Sequence, residues 1–225
     1  MSDGVRPLRI ALPEGSVCAL LQGEADARAC FVFAHGAGAG MDHAFMAQLA
    51  AALASRRIAT LRFQFPYMEN GSKRPDVPAV AQAAVRAAVA QASRELPGVP
   101  LFAGGKSFGG RMSSQAQAKQ PLEGVRGLVF VGFPLHPARK PSVGRAAHLR
   151  EVKVPMLFLQ GTRDALAEWP LIEETVRGLG TLATLERIED ADHSFHVPAR
   201  SGQTDAQVLD RLADSASAWM SRPAR

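Results

Sequence analysis

Two kinds of apolar pattern alternate along most of the chain. In some segments the apolar residues recur every three or four positions, as in amphipathic helices, and in others they form short unbroken runs. Unbroken runs are typical of parallel strands that are covered on both faces. The alternation therefore predicts an α/β fold, with a mostly parallel sheet of about seven or eight strands and helices on both faces.

The predicted elements follow from these patterns and from the turn residues between them. Strands are expected at residues 6–12, 16–23, 29–36, 58–65, 99–105, 125–133, 154–161 and 183–191. Helices are expected at residues 43–56, 77–96, 108–120, 143–150, 167–180 and 204–222. A Pro-Glu-Gly turn separates the first two strands and predicts that they pair antiparallel. One helix with its turns fills the interval between strands 125–133 and 154–161, so no cap domain is expected there.

Composition narrows the class of protein but not its activity. The 225 residues have the length of one domain, and we expect residues 1–225 to fold as one. The chain carries a formal charge of +5, yet its basic residues are spread along the sequence, which favours a solvated surface over nucleic-acid binding. No apolar window is long enough to span a membrane, and the N-terminus lacks the apolar core of a secretion signal. We therefore expect a cytoplasmic monomer or homodimer that binds neither nucleic acid nor membrane.

The two cysteines, Cys18 and Cys30, lie in predicted neighbouring strands. Since we expect a cytoplasmic protein, free thiols are favoured over a disulfide.

The stretch LFAGGKSFGG at residues 101–110 has two interpretations. Its GKS tripeptide could end a phosphate-binding loop, but the first glycine of that loop would fall at Pro100, which has no N–H and cannot adopt a positive φ. Gly105, Ser107 and Gly109 instead have the G-x-S-x-G spacing of a nucleophile elbow, where a strand turns sharply into a helix and exposes the serine Oγ. The alternative is a glycine-rich turn whose serine has no chemical role.

A glycine-rich loop after the third predicted strand is suited to stabilising an oxyanion. In hydrolases with a nucleophile elbow, one oxyanion donor is the N–H after the nucleophile and the other belongs to such a loop. We assign these donors to Phe108 and Ala37, with Gly38 as the alternative to Ala37. Dinucleotide binding is disfavoured, because the glycines alternate without the third spacing of that fingerprint and no well-placed acid ends the next strand.

Asp164 and His193 complete a candidate Ser-His-Asp triad in the chain order Ser, Asp, His. Asp164 follows a predicted buried strand, where its carboxylate can orient a histidine, although a helix N-cap is the alternative role. Asp190 and Asp192 are weaker candidates because they lie too close to His193 in sequence. His193 and His196 also form an HxxH pair, but no further ligands are apparent, so we expect no metal and no cofactor.

The whole chain resembles α/β-hydrolase fold proteins of the small, lidless type. More closely, FAHGAGAG, GGKSFGGRM, LQGTRD and DHSF resemble a bacterial family related to the third subunit of the animal non-specific-lethal chromatin complex, and more distantly dienelactone hydrolases. The resemblance implies Ser107, Asp164 and His193 as the triad. Dienelactone hydrolases carry cysteine at the nucleophile position, so Ser107 argues against that activity. The family implies no particular substrate.

Four residues beside the candidate triad are expected to contact the substrate. Lys106 adjoins the serine and Gly38 belongs to the glycine-rich loop. Leu135 and His136 lie in the loop that follows the strand next to the elbow.

Basic residues near the elbow raise the question of substrate charge. Arg111, one turn into the following helix, is expected to pair with a carboxylate or with loop 62–71 rather than to touch the substrate. If loops 65–75 and 132–141 both face the site, their positive charge would favour acidic or carboxylate-bearing esters.

These residues together predict a metal-free, cofactor-free serine hydrolase. It would cleave small or medium carboxylic esters or thioesters through an acyl-enzyme on Ser107, so its partner is a small-molecule ester or thioester. One alternative is a non-catalytic binding or scaffold protein on the same fold. Another is a cofactor-free perhydrolase that uses the same residues.

Overall fold

Eight strands form one sheet in the computed structural model, which describes residues 4–222. The strands are β1 (Val5–Leu12), β2 (Gly15–Gln22), β3 (Ala29–Ala34), β4 (Ile58–Phe63), β5 (Leu101–Lys106), β6 (Val125–Val131), β7 (Met156–Gly161) and β8 (Ala183–Ile188). Their order across the sheet is β1-β2-β4-β3-β5-β6-β7-β8. β2 is antiparallel to both β1 and β4, and the remaining pairs are parallel. The predicted antiparallel start and mostly parallel sheet are confirmed.

Helices cover both faces of this sheet. The helices are α1 (Ala44–Ala54), α2 (Pro66–Glu69), α3 (Pro78–Glu95), α4 (Phe108–Lys119), α5 (Trp169–Arg177) and α6 (Asp205–Met220). Three 3-10 helices lie at Gly144–Glu151, Gly180–Leu182 and Ala199–Ser201. α1 and α6 pack on one face, and α3, α4 and α5 pack on the other. Because both faces are covered, β3, β4 and β7 are buried along their whole length, as their unbroken apolar runs predict.

The connection between β6 and β7 adds no domain over the carboxyl ends of the parallel strands, which we call the open end of the sheet. It forms the 3-10 helix Gly144–Glu151 against α4, and residues 4–222 contain no cap domain. Within the same residues, no helix combines the length and the apolar character that crossing a membrane requires.

The cysteine prediction is wrong in one respect. Cys18 on β2 and Cys30 on β3 do not lie on neighbouring strands, because β4 lies between them in the sheet. Both are free thiols, and burial raises the pKa of Cys30 to about 12. The short helix α2 is a second difference, since a loop was expected at these residues.

The packing of α4 against the sheet predicts that a methyl group added at Gly109 lowers the free energy of unfolding. A Cβ on Gly109 would overlap the carbonyl oxygen of Ala34 and lie 2.7 Å from that of His35. Helix propensity alone favours Gly109→Ala by about 1 kcal/mol, but overpacking typically costs about 1–3 kcal/mol, so we expect the variant to be less stable. Gly144→Ala is the control, because its Cβ would meet only the Ser142 hydroxyl at 3.4 Å. Urea unfolding that ranks Gly109→Ala at or above wild type would contradict this packing argument.

Candidate active site

Ser107 lies on a sharp turn between β5 and α4. Its backbone has φ 50° and ψ −110°, a conformation that non-glycine residues rarely adopt. The preceding Gly104 and Gly105 have φ of 147° and 150°, and a Cβ on either would overlap a carbonyl oxygen of β6 or β3. The turn therefore holds the serine in a strained conformation above the sheet, as expected for a nucleophile elbow.

Ser107, His193 and Asp164 form a continuous chain of hydrogen bonds. His193 Nδ1 lies 2.7 Å from Asp164 Oδ2, and His193 Nε2 lies 2.9 Å from Ser107 Oγ. A carboxylate oxygen accepts, so Nδ1 carries the hydrogen and Nε2 is free to accept the serine hydroxyl proton. The Asp164 side chain is fully buried, whereas 24% of the His193 side chain is exposed. The structure thus brings the three predicted residues together at the open end of the sheet.

The loop that carries His193 is fixed by contacts on both sides of the histidine. Asp192 Oδ1 accepts the N–H groups of Ser194 and His196, so this carboxylate caps its own turn instead of meeting the His193 ring. Lys106 Nζ donates to the His193 carbonyl at 2.6 Å and lies 5.4 Å from the Phe195 ring centre. Burial lowers the pKa of Lys106 to about 8, against the raising effect of Asp164 and Asp192.

Gln160 is a member of this network that the sequence did not reveal. Its side chain is fully buried at the end of β7, where Oε1 accepts the Phe133 N–H at 2.9 Å. Nε2 therefore faces Asp164 and donates to Oδ2 at 2.6 Å, on the same oxygen that His193 uses. The other oxygen, Oδ1, accepts the Leu166 N–H at 2.8 Å. Both oxygens of Asp164 are thus engaged, which fixes the orientation of the carboxylate.

The two backbone N–H groups that are predicted to stabilise the oxyanion are both free of other partners. The N–H groups of Phe108 and Ala37 donate no hydrogen bond within residues 4–222. The Gly38 N–H, the alternative donor, is already engaged with the Tyr67 hydroxyl at 3.1 Å. This arrangement favours Ala37 over Gly38 as the second oxyanion donor.

His35 anchors the glycine-rich loop from below, a role that sequence reasoning did not identify. The ring is fully buried, with Nδ1 donating to the Gly36 carbonyl at 2.8 Å and Nε2 accepting the Phe65 N–H at 3.0 Å. This ties the loop after β3 to the loop after β4. Burial lowers the pKa of His35 to about 4, so the ring is neutral at physiological pH.

The predicted substrate-contacting residues lie in different environments. Leu135 and His136 are both fully buried, and their N–H groups donate to the Leu166 carbonyl, which joins their loop to that of Asp164. His136 Nδ1 lies 2.9 Å from the Pro137 carbonyl, and its Nε2 has no hydrogen-bond partner within residues 4–222. Their contact with substrate, like that of Lys106, stays a prediction.

The expected partner of Arg111 is absent from the structure. Within the described residues it forms no ion pair with a carboxylate, and its guanidinium carbon lies 5.8 Å from the ring centre of Phe108. The prediction that it pairs with a carboxylate is therefore wrong, because its guanidinium lies over the aromatic ring of Phe108 instead, and its contact with loop 62–71 stays a prediction.

Among residues 4–222, no group of three or more His, Cys, Asp and Glu residues could hold a metal ion. His196 of the HxxH pair lies at the surface and bonds Asp205 at 2.8 Å. That partner raises the pKa of His196.

Comparison with known proteins identifies the family. Residues 27–221 match the family described as the alpha/beta hydrolase domain. The chain belongs to this family. Dienelactone hydrolase from Anabaena variabilis ATCC 29413 is 22% identical, with a TM-score of 0.77 and 98% of each chain covered. A lidless α/β serine hydrolase from Xanthomonas campestris is 21% identical, with a TM-score of 0.75 over 99% of this chain and 98% of that one.

A third α/β-hydrolase structure, a serine hydrolase homologue from Coxiella burnetii, is 20% identical with a TM-score of 0.75, covering 93% of this chain and 96% of its own. At these identities the likeness shows the fold. The predicted α/β-hydrolase fold without a cap domain is confirmed.

We expect Gln160→Met to cost more stability than the same change at Gln117. Both glutamines are buried and accept a backbone N–H, Phe133 for the first and Leu122 for the second. Gln160 also donates to the Asp164 carboxylate, and a hydrogen bond to a charged group contributes about 1.5–3 kcal/mol. Urea unfolding should therefore rank Gln160→Met below Gln117→Met by about 2 kcal/mol. Equal losses would mean that the bond to Asp164 adds nothing.

Burial of neutral His35 makes this α/β-hydrolase sensitive to acid. Its pKa is about 4 in the folded state against 6.5 unfolded, so only the unfolded state takes up the proton as the pH falls below 6.5. Between pH 7 and pH 5 this linkage lowers the free energy of unfolding by about 2 kcal/mol. His35→Gln keeps an acceptor for Phe65 but cannot titrate, so its stability should fall less over that interval. If urea unfolding shows that wild type and His35→Gln lose the same free energy of unfolding over this interval, His35 is not the source of the acid sensitivity.

Proposed function

We propose that this α/β-hydrolase is a serine hydrolase that cleaves small or medium carboxylic esters or thioesters. The observation that supports it is the hydrogen-bond chain from the buried Asp164 through His193 to Ser107, on the turn between β5 and α4. A serine alone is a weak nucleophile, and an adjacent base oriented by a third group activates it.

In the proposed reaction, Ser107 Oγ attacks the acyl carbonyl while His193 Nε2 takes the hydroxyl proton. Asp164 holds the ring in the required tautomer and stabilises the imidazolium that forms. The N–H groups of Phe108 and Ala37 stabilise the oxyanion, and one such donor is worth about 3 kcal/mol. His193 then gives the proton to the leaving group, and water cleaves the acyl-enzyme by the same steps in reverse order.

The open end of the sheet is consistent with a broad choice of leaving group. No cap domain covers Ser107 within residues 4–222, so the alcohol or thiol part of a substrate can extend into solvent. The chemistry needs no cofactor. We also propose a cytoplasmic location, because Cys18 and Cys30 are both free, as a reducing compartment favours.

The narrower resemblance to bacterial relatives of the non-specific-lethal complex subunit remains a prediction, and it is the reason to test catalysis directly. A scaffold protein on this fold would carry an unreactive serine.

The test is labelling of the folded protein by a fluorescent fluorophosphonate, followed by hydrolysis of 4-nitrophenyl esters. Ser107→Ala and His193→Ala should abolish labelling and lower kcat by about a millionfold. Asp164→Asn should lower kcat by about ten-thousandfold, because the histidine would lose its correct tautomer.

A second serine–histidine contact in the chain provides the matched control. Ser114 Oγ lies 2.8 Å from His148 Nε2, but burial and Arg111 lower the pKa of that histidine to about 4. Ser114→Ala should therefore label like wild type. Failure of folded wild type to label, or labelling that survives Ser107→Ala, would overturn the proposal.

A further inference from the structure

Arg111 is a half-buried cation for which the protein provides no acceptor. Its Nε is buried and unpaired, and its side chain donates no hydrogen bond within residues 4–222. Native proteins seldom leave a buried donor unmet. Seven other arginines of the described chain have a carboxylate within 4 Å, namely Arg6, Arg9, Arg56, Arg57, Arg177, Arg187 and Arg211.

The neighbouring charge is of the same sign. Burial lowers the pKa of Arg111, and the guanidinium of Arg145 lowers it further. His148 stays neutral beside them, because burial and then Arg111 hold its pKa near 4. Arg111 and Arg145 thus repel each other, and neither forms an ion pair with a carboxylate within residues 4–222, an arrangement that favours a bound anion.

The position of this pair relates it to Ser107. The Arg111 N–H bonds the Ser107 carbonyl at 3.1 Å, and long helical side chains lean towards the N-terminus of their helix. The guanidinium accordingly lies over Phe108, the residue after the serine.

Arg145 belongs to the 3-10 helix Gly144–Glu151, which packs against α4. This segment and α4 both run away from the open end of the sheet, since one leads from β6 to the start of β7 and the other follows β5. The contact of His148 with Ser114 fixes their register. Arg111 precedes Ser114 by three residues, and Arg145 precedes His148 by three. Arg145 therefore neighbours Arg111, towards the end of the sheet where Ser107 lies.

We propose that Arg111 and Arg145 form a subsite for an anionic group, a carboxylate or a phosphate, on the ester that Ser107 attacks. This inference rests on the proposed function, and it narrows the substrate class to esters that carry a negative charge away from the scissile bond. Guanidinium groups suit this role because their planar donors match both kinds of oxyanion.

The first test compares esters of equal length in 50 mM salt. The substrates are 4-nitrophenyl valerate, the 4-nitrophenyl monoester of glutaric acid and the 4-nitrophenyl ester of 4-phosphonobutyric acid. Wild type should prefer at least one anionic ester over the valerate in kcat/KM, and the preferred ester tells a carboxylate site from a phosphate site. Arg111→Met and Arg145→Met should each lower that ratio about tenfold or more.

Arg150→Met is the matched control, because it removes the same charge from the exposed far end of the same 3-10 helix. It should leave the ratio unchanged. A wild-type enzyme that cleaves the valerate at least as well as both anionic esters, or an equal drop in the ratio for Arg150→Met, would overturn the subsite while leaving the hydrolase proposal intact.

Calorimetry separates failure of the subsite from failure of catalysis. Glutarate or inorganic phosphate should bind Ser107→Ala with a Kd that weakens about tenfold or more when Arg111→Met is added. If wild type cleaves no ester but this binding holds, the hydrolase proposal fails and the anion site stands. If neither anion binds at millimolar concentration, the subsite is wrong whatever the protein hydrolyses.

Discussion

The close approach of three backbones around Ser107 is the constraint on which the rest of the site depends. β5 runs between β3 and β6, where Gly104 and Gly105 have no side chain to keep the strands apart. Gly109 also has no side chain, so α4 can begin directly against the carbonyl oxygens of Ala34 and His35. This packing forces the serine into its positive φ. The same packing fixes the Phe108 N–H and the glycine-rich loop relative to the serine, so both candidate oxyanion donors are positioned before any substrate arrives.

A second layer of buried polar contacts joins the loops at the open end of the sheet. Gln160 links Asp164 to the chain after β6, Leu166 receives two N–H groups from that same segment, and Lys106 holds the carbonyl of His193. Each loop that carries part of the candidate triad is thus bonded to a neighbour as well as to the triad itself. In a site without a cap, such bonds replace the rigidity that a covering domain would supply.

The sequence predicted the elements and the candidate triad better than it predicted their surroundings. The carboxyl ends of parallel strands meet at one edge of a sheet, so Ser107, Asp164 and His193, each following a strand, were expected together. Strand order is a long-range property, so the sequence pattern does not show that β4 lies between Cys18 on β2 and Cys30 on β3. Gln160 and His35 are single polar residues within or beside apolar runs, and no periodicity marks them. The sequence alone gives no sign that the Arg111 guanidinium lies over Phe108 or that the charge of Arg145 acts on it.

In a site without a lid, substrate selectivity depends on side chains that are already rigid. Without a lid, little binding energy is available from closure over the substrate, and ordering a flexible arginine would consume part of what remains. Arg111 avoids this cost because α4 begins at a fixed point against β3 and because its guanidinium rests on Phe108, itself packed against Phe65 and Tyr67. The glycines that strain the serine therefore also preorganise the cation one turn behind it, so that in the proposed hydrolase the reactivity of Ser107 and the selectivity for anionic esters arise from the same packing.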